Sequence, residues 1–255
     1  MLNKTITWLN DPGHWHNTRF DTGIISQLEA HIRYSAIALL IALLIALPAG
    51  LILGHTGKAT WIVSATNAIR ALPTVGILVL LVVIIAPHFT GRTNTGYIIP
   101  TEIVLILLAI PPILSNTFAG VDNVDPAVRD AAKGMGMTGS QVLFKVELPN
   151  SLPLIFSGFR SATLQVIATA TIASYVTLGG LGRFIYDGLA QQDYPQMIGG
   201  AVLVAVLALL AEFVLALIQR YVVSRGVTGR FSTKQIASEP DARTGRLIEA
   251  EVGGV

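Results

Sequence analysis

The most informative part of the sequence is Asp130-Ala-Ala-Lys-Gly-Met-Gly136, which is followed after nine residues by Val146-Glu-Leu-Pro149. It is a polar island between two long apolar segments. Polar groups are expensive to leave in hydrocarbon, so an island of this kind lies outside the lipid. The sequence therefore predicts a membrane protein with a compact polar loop, residues 122–151, between two of its spans.

A first short helix is predicted within the polar loop. Asp125 is a favourable N-cap, and Pro126 suits the first helical position because an N–H there has no helical partner. The two alanines of the stretch favour helix and leave a small surface that another chain can approach closely. Gly134 and Gly136 are then predicted to end the helix.

A second short helix is predicted to follow. Thr138 and Gln141 have the spacing of a capping box. Pro149 is expected to end this helix near Leu148, because proline lacks the backbone donor that a helix needs. Two short helices joined by a glycine bend form a compact knob at the membrane surface.

The composition places the whole chain in a bilayer. Hydrophobic residues make up 52% and charged residues 13% of the chain, and the mean hydropathy is +0.64, which is too apolar for a soluble domain of this length. The absence of cysteine excludes disulfides and thiol chemistry. The net charge of +2 gives no support to nucleic-acid binding. The histidines are assigned to terminal or loop segments, and they predict neither a metal site nor a cofactor.

Several apolar segments are long enough for transmembrane helices, since about 20 residues cross roughly 30 Å of hydrocarbon. The second segment contains Asn67, Arg70 and Pro73, which leave open a kinked span or a short helix followed by a re-entrant one. The fourth is rich in Ser, Thr and Ala and is predicted to be central in the bundle. The fold class is an all-α membrane protein with about five spans, predicted at residues 34–53, 61–86, 98–119, 152–176 and 197–222.

The regions outside the spans predict an orientation. Residues 1–33 form an N-terminal segment that is expected at the outer interface and helical from about Ile24, and residues 223–255 form a polar, flexible tail. Lys and Arg are more frequent in the polar loop and the tail than in the alternate loops. The polar loop and the tail are therefore predicted to be cytoplasmic.

Proline and polar residues within the spans mark a candidate pathway. Pro111 and Pro112 remove two backbone donors and predict a kink, and Asn116, one turn beyond, is expected to hydrogen-bond a carbonyl that they free. A kink that gates a pore and a kink used only for packing both remain open. The candidate pathway residues are Asn67, Arg70, Pro111, Pro112, Asn116 and Thr169.

One intramembrane ion pair is also predicted. At about 1.5 Å per residue, Arg70, Arg160 and Glu212 all lie roughly 10 to 15 Å from the cytoplasmic boundary. A lone charge at that depth is costly, and charged residues there usually face a partner or water. Glu212 is therefore predicted to pair with Arg70 or Arg160.

The polar loop resembles the EAA loop of ABC importer permeases, with Asp130 in place of the usual Glu and Val146 in place of the usual Ile. The runs at residues 112–117, 120–126, 134–138, 146–149 and 178–182 resemble osmoprotectant permeases for glycine betaine, choline and related quaternary amines. This resemblance extends over about residues 34–221. The residues that it implies for contact with an ATPase are Asp130, Ala131, Ala132, Gly134, Gly136, Leu148 and Pro149.

The resemblance implies a type I ABC importer permease in a bacterial cytoplasmic membrane. Its implied partners are cytosolic ATPases that receive residues 127–141, a second permease subunit and an extracytoplasmic solute-binding protein. The chain has no Gly-rich phosphate loop, so ATP hydrolysis is assigned to the partners.

Three alternatives remain. Permeases for other small solutes, such as amino acids, share the layout. A secondary transporter would have inverted repeats and ionisable residues near the midplane, and the sequence shows neither an inverted repeat nor a convincing midplane carboxylate. A membrane scaffold or assembly protein would need neither kinked spans nor a coupling knob.

Overall fold

The computed structural model describes residues 2–17, 22–58, 60–89, 94–176 and 178–223. Within these ranges the chain is helical and has no β-strand, which confirms the all-α prediction. The predicted tail beyond Val223 lies outside the described residues. The α-helices are α1 (Leu2–Asn10), α2 (Ile24–Thr56), α3 (Trp61–Ala68), α4 (Thr74–Ile85), α5 (Thr95–Asp122), α6 (Pro126–Gly134), α7 (Gly139–Val142), α8 (Leu148–Ala170), α9 (Gly182–Ala190) and α10 (Tyr194–Val222).

The core is a layer in which α5 packs against both α2 and α8. On α2, Ala38, Ala42 and Ala46 are completely buried at intervals of one helical turn, so a stripe of small side chains faces the layer. Gly50 and Gly54 continue this stripe. Their backbones come so close to α5 that an added Cβ would lie within 2.7 Å of a side-chain atom there.

The predicted second span is divided into two helices. α3 and α4 meet at an angle of 88°. The break falls at Leu72, whose ψ of 137° is extended, because the ring of Pro73 disfavours helical backbone at the residue before it. The pair is therefore a broken span or a re-entrant loop.

Three of the described helices, α2, α5 and α10, are long and apolar enough to cross a membrane, and the bent α3–α4 pair is a fourth candidate. α8, the predicted fourth span, has 23 residues but contains many polar side chains, and it packs against α5, α10 and α2. Its place in the layer agrees with the predicted central position. The number of five spans stays a prediction.

At the end of the layer opposite the polar loop, two buried side chains of α2 form hydrogen bonds to the backbone of other segments. His31 is completely buried, with Nε2 3.0 Å from the carbonyl of Ile167, and it accepts a hydrogen bond on Nδ1 from the Leu181 amide at 3.3 Å. Gln27 accepts a bond from the Gly180 amide at 2.6 Å. The assignment of the histidines to terminal or loop segments was therefore wrong for His31, which lies inside a helix that begins at Ile24 as predicted.

Candidate functional site

The first half of the polar loop folds as its sequence predicts. The carboxylate of Asp125 accepts a hydrogen bond from the Ala127 amide at 2.8 Å, and Pro126 is the first residue of α6. The helix ends at Gly134, and Gly136 has a φ of +84°. Glycine is the residue that adopts this left-handed conformation without a steric penalty, so Gly136 makes the bend.

The second half begins as predicted but does not end as predicted. Thr138 and Gln141 form a reciprocal capping box at the start of α7. The chain then continues through a π-helical turn, Leu143–Glu147, directly into α8. Pro149 therefore lies in the first turn of α8 and does not terminate a helix. The wider π turn, in which the Leu148 amide bonds the carbonyl of Leu143, accommodates the proline ring that an α-turn would exclude.

The polar loop presents most of its motif residues to the outside. Of the seven residues that the resemblance implies for contact with an ATPase, only Ala132 is fully buried. Leu148 is half-buried. The other five are exposed, namely Asp130, Ala131, Gly134, Gly136 and Pro149.

Apolar side chains also project from this loop. Met135 is 73% exposed and Phe144 is 60% exposed, and Val128 is also exposed. Exposed apolar side chains on a protruding polar loop are candidates for contact with another molecule. The sequence interpretation missed these residues, although their apolar character within a polar island was a usable signal.

An ionic cluster around one buried carboxylate underlies the loop. Glu147 is 1% exposed; its Oε1 lies 2.9 Å from Nε of Arg129 and its Oε2 lies 2.6 Å from Nδ1 of His55. Arg129 also donates to the carbonyl of Val121. The sequence interpretation counted Arg129 only as a surface charge and placed His55 in a loop, whereas it belongs to the last turn of α2. The acidic residue within the Val-Glu-Leu-Pro motif was the sequence signal that could have predicted this cluster.

The prolines of the candidate pathway lie inside the helix layer. Pro111 and Pro112 are both buried, and α5 continues through them as one helix. The Asn116 side chain donates to the carbonyl of Pro112 at 2.8 Å. A proline leaves unpaired the carbonyl four residues before it, and the carbonyl of Pro112 is not one of these. The expectation that Asn116 bonds a freed carbonyl was therefore wrong.

The remaining candidate pathway residues lie on different elements. Asn67 is exposed on α3 and accepts a hydrogen bond from Ser115 at 3.1 Å. Arg70 is exposed at the bend before α4. Thr169 lines a cavity of about 10 Å³ together with Thr74 and Thr101, which is enough for about one water molecule. Among the six candidates, the hydrogen bond that the structure shows is the one from Asn116 to Pro112.

The intramembrane carboxylate contacts one of its two predicted partners. Arg160 of α8 donates to Glu212 of α10 and, at 2.8 Å, to Gln219. Gln219 in turn donates to the carbonyl of Pro153 at 3.4 Å. No described residue forms an ion pair with Arg70. These polar bonds attach the C-terminal half of α10 to α8, whereas its N-terminal end packs against α1 and α9.

Replacing Glu212 with glutamine is expected to destabilise the protein by about 1.5 to 3 kcal/mol, the usual contribution of a hydrogen bond to a charged group. The change leaves the Arg160 guanidinium without its counter-charge. The folded yield in detergent and the thermal unfolding midpoint are the quantities to measure. The matched control is Asp187→Asn, which removes the exposed Arg183–Asp187 pair on α9 and should change stability by less than about 1 kcal/mol. Equal stability of the two variants would contradict the account.

The sequence itself matches the family described as "Binding-protein-dependent transport system inner membrane component" over residues 38–227. The chain belongs to this family. It is therefore an inner-membrane permease component of a binding-protein-dependent transport system, and a multi-pass membrane protein.

Curated relatives confirm the family resemblance. The chain is 34% identical to the carnitine transport permease protein OpuCB of Listeria monocytogenes over 84% of its own length and 91% of the relative's. It is 33% identical to the glycine betaine/carnitine/choline transport system permease protein OpuCB of Bacillus subtilis, with coverage of 78% and 88%. It is 30% identical to the osmoprotectant import permease protein OsmW of Salmonella typhimurium, with coverage of 77% and 90%.

A solved structure confirms the fold. The chain superposes on an inward-facing structure of the MetNI methionine ABC transporter with a TM-score of 0.66 and 22% identity, covering 79% of this chain and 96% of the other. At this identity the likeness establishes the permease fold alone.

Proposed function

We propose that this chain forms the translocation pathway of an ATP-driven importer for a quaternary-amine osmoprotectant, such as glycine betaine, choline or carnitine. The relatives above are named for the transport of these solutes. Their similarity to this chain extends over most of its length. Aromatic residues, which bind quaternary ammonium groups through their ring faces, make up only 7% of the chain. Solute selectivity is therefore assigned to an extracytoplasmic binding protein.

The observation that carries the coupling mechanism is the form of the polar loop. Its α6 and α7 are each capped by a side chain, are joined by a glycine bend, and expose Met135 and Phe144. A rigid, protruding and partly apolar knob fits a groove on a cytosolic ATPase. We assign docking to residues 127–141, and hydrolysis to the ATPase, because this chain contains no phosphate-binding loop.

The assembly also needs a second permease subunit, identical or related. α10 has a long exposed apolar face that includes Leu209, Phe213 and Tyr221, and this face is available to lipid or to the second subunit. We assign the polar loop to the cytosol because of its positive charges. We assign the end of the protein that contains α1 and α9 to the outside, where a binding protein delivers solute.

The test is reconstitution of the chain with its cognate ATPase, second permease subunit and binding protein in liposomes. Uptake of choline, carnitine and glycine betaine is compared with uptake of methionine and histidine. We expect uptake of at least one quaternary amine that requires ATP and the binding protein. Uptake of only amino acids would contradict the solute class. Uptake driven by an ion gradient without the ATPase would contradict the coupling mechanism and favour a secondary transporter.

A further inference from the structure

The ionic cluster beneath the polar loop joins four separate elements. Arg129 belongs to α6, Glu147 to the π turn and His55 to the last turn of α2. The carbonyl of Val121, which accepts from Arg129, belongs to the end of α5. The Glu147 carboxylate and the Arg129 guanidinium therefore connect α6 to the ends of α2 and α5.

The geometry of the guanidinium is specific. Its Nε lies 2.9 Å from the Glu147 carboxylate while another of its nitrogens donates to the backbone of α5. Arginine presents several donors in a fixed planar fork, which a lysine does not. Arg129 thereby links α6 to the π turn through an ion pair and to the end of α5 through a hydrogen bond.

The imidazole completes the connection. With its proton on Nδ1, His55 donates to Glu147 at 2.6 Å. Its Nε2 faces Gly139 at the start of α7, where an added Cβ would lie 3.5 Å away. His55, at the end of α2, thus lies close to both the π turn and the start of α7.

The helices that receive these contacts are themselves tightly packed. A Cβ at Gly54 of α2 would lie 2.6 Å from Val121 of α5, and a Cβ at Gly120 of α5 would lie 3.0 Å from Ser151 of α8. Closely packed helices move as a unit, because interiors have little free volume to absorb a displacement. A displacement of α6 at the cluster is therefore passed to the layer.

We propose that the Arg129–Glu147–His55 cluster is a positioning element that transmits movement of the polar loop to α2 and α5 during transport. This inference rests on the proposed function and adds the residues that connect ATPase docking to the pathway. The competing interpretation is that the cluster only stabilises the loop. The two interpretations differ in what they predict when the half-buried Arg129 and the buried Glu147 are replaced together.

Removing one member of a buried ion pair leaves an uncompensated charge, whereas replacing both members with apolar residues is often neutral for stability. Arg129→Met alone is therefore expected to lose folded protein, and Arg129→Met with Glu147→Met is expected to recover it. The readouts in the reconstituted complex are folded yield, bound ATPase and solute molecules transported per ATP hydrolysed. The matched control is Lys145→Met, which removes an exposed charge from the same π turn.

We expect the double variant to assemble and hydrolyse ATP while its transport per ATP falls about tenfold, within the usual range of coupling between two sites. Transport per ATP equal to that of the wild type would overturn the inference and leave the cluster a structural one. If the double variant does not fold, Arg129→Lys is the variant to test, because lysine keeps the positive charge but lacks the planar set of donors of arginine. Transport per ATP equal to that of the wild type in this variant would also overturn the inference. A wild-type complex that binds no ATPase would instead contradict the proposed function, and the inference with it.

Discussion

Replacing Gly158 with alanine is expected to destabilise the protein, although the same change at an exposed helical position stabilises a helix by up to about 1 kcal/mol. A Cβ at Gly158 of α8 would lie 2.6 Å from Cβ of Asn116 and 2.7 Å from the carbonyl oxygen of Pro112 on α5. The second contact is with backbone, so the helices themselves must separate. Overpacking of this kind costs about 1 to 3 kcal/mol. The measurement is the thermal unfolding midpoint in detergent, with Gly158→Leu expected to abolish folded protein.

The matched control for this prediction is Gly76→Ala on α4. A Cβ at Gly76 would meet the Pro73 ring at 3.4 Å, an ordinary van der Waals distance, so this variant is expected to keep or raise the midpoint. A Gly158→Ala protein as stable as Gly76→Ala would show that α5 and α8 are not in close contact.

Replacing Gly136 with valine is expected to reduce solute uptake about tenfold while leaving the helix layer folded. The φ of +84° at Gly136 costs an L-residue about 1 to 2 kcal/mol, and a factor of ten in an equilibrium corresponds to about 1.4 kcal/mol. The strain reorients α6 and α7 relative to each other, so the exposed face no longer fits the ATPase. ATP-dependent uptake and bound ATPase are the quantities to measure.

Gly134→Val is the matched control for the bend. Both glycines are exposed and have open space around the position of a Cβ, but only Gly136 has a positive φ. Gly134→Val is therefore expected to retain most uptake, and Gly136→Asn, which tolerates the left-handed conformation better, should be intermediate. An equal loss of uptake in the Gly134→Val and Gly136→Val variants would show that the effect comes from added side-chain bulk and not from the bend.

The local features of the polar loop could be predicted from the sequence because they depend on neighbouring residues. The Asp125 cap and the Thr138 capping box need only residues two or three positions away, and the bend at Gly136 follows from glycine chemistry. The π turn could not be predicted. A proline normally ends a helix, and Pro149 is tolerated because the preceding turn is wide.

The long-range contacts could not be predicted for a different reason. Glu147 lies 92 positions from His55 in the sequence, and Leu181 lies 150 positions from His31. Hydrophobic periodicity states which residues are buried, but it does not state which polar residues meet. The contact between Arg160 and Glu212 was anticipated as one of two options because the low polarity of the membrane favours paired charges.

Site-specific photo-cross-linking is the measurement that shows whether the polar loop docks on an ATPase. The chain has no cysteine, so a single cysteine can carry a maleimide-linked photo-cross-linker in an otherwise native protein. Met135→Cys labels the exposed tip of the loop, and Leu189→Cys labels an exposed residue of α9, which follows the opposite end of α8. The account predicts an adduct with the ATPase from position 135 and none from position 189. An assembled complex in which position 135 gives no ATPase adduct, or in which position 189 gives one, would contradict it.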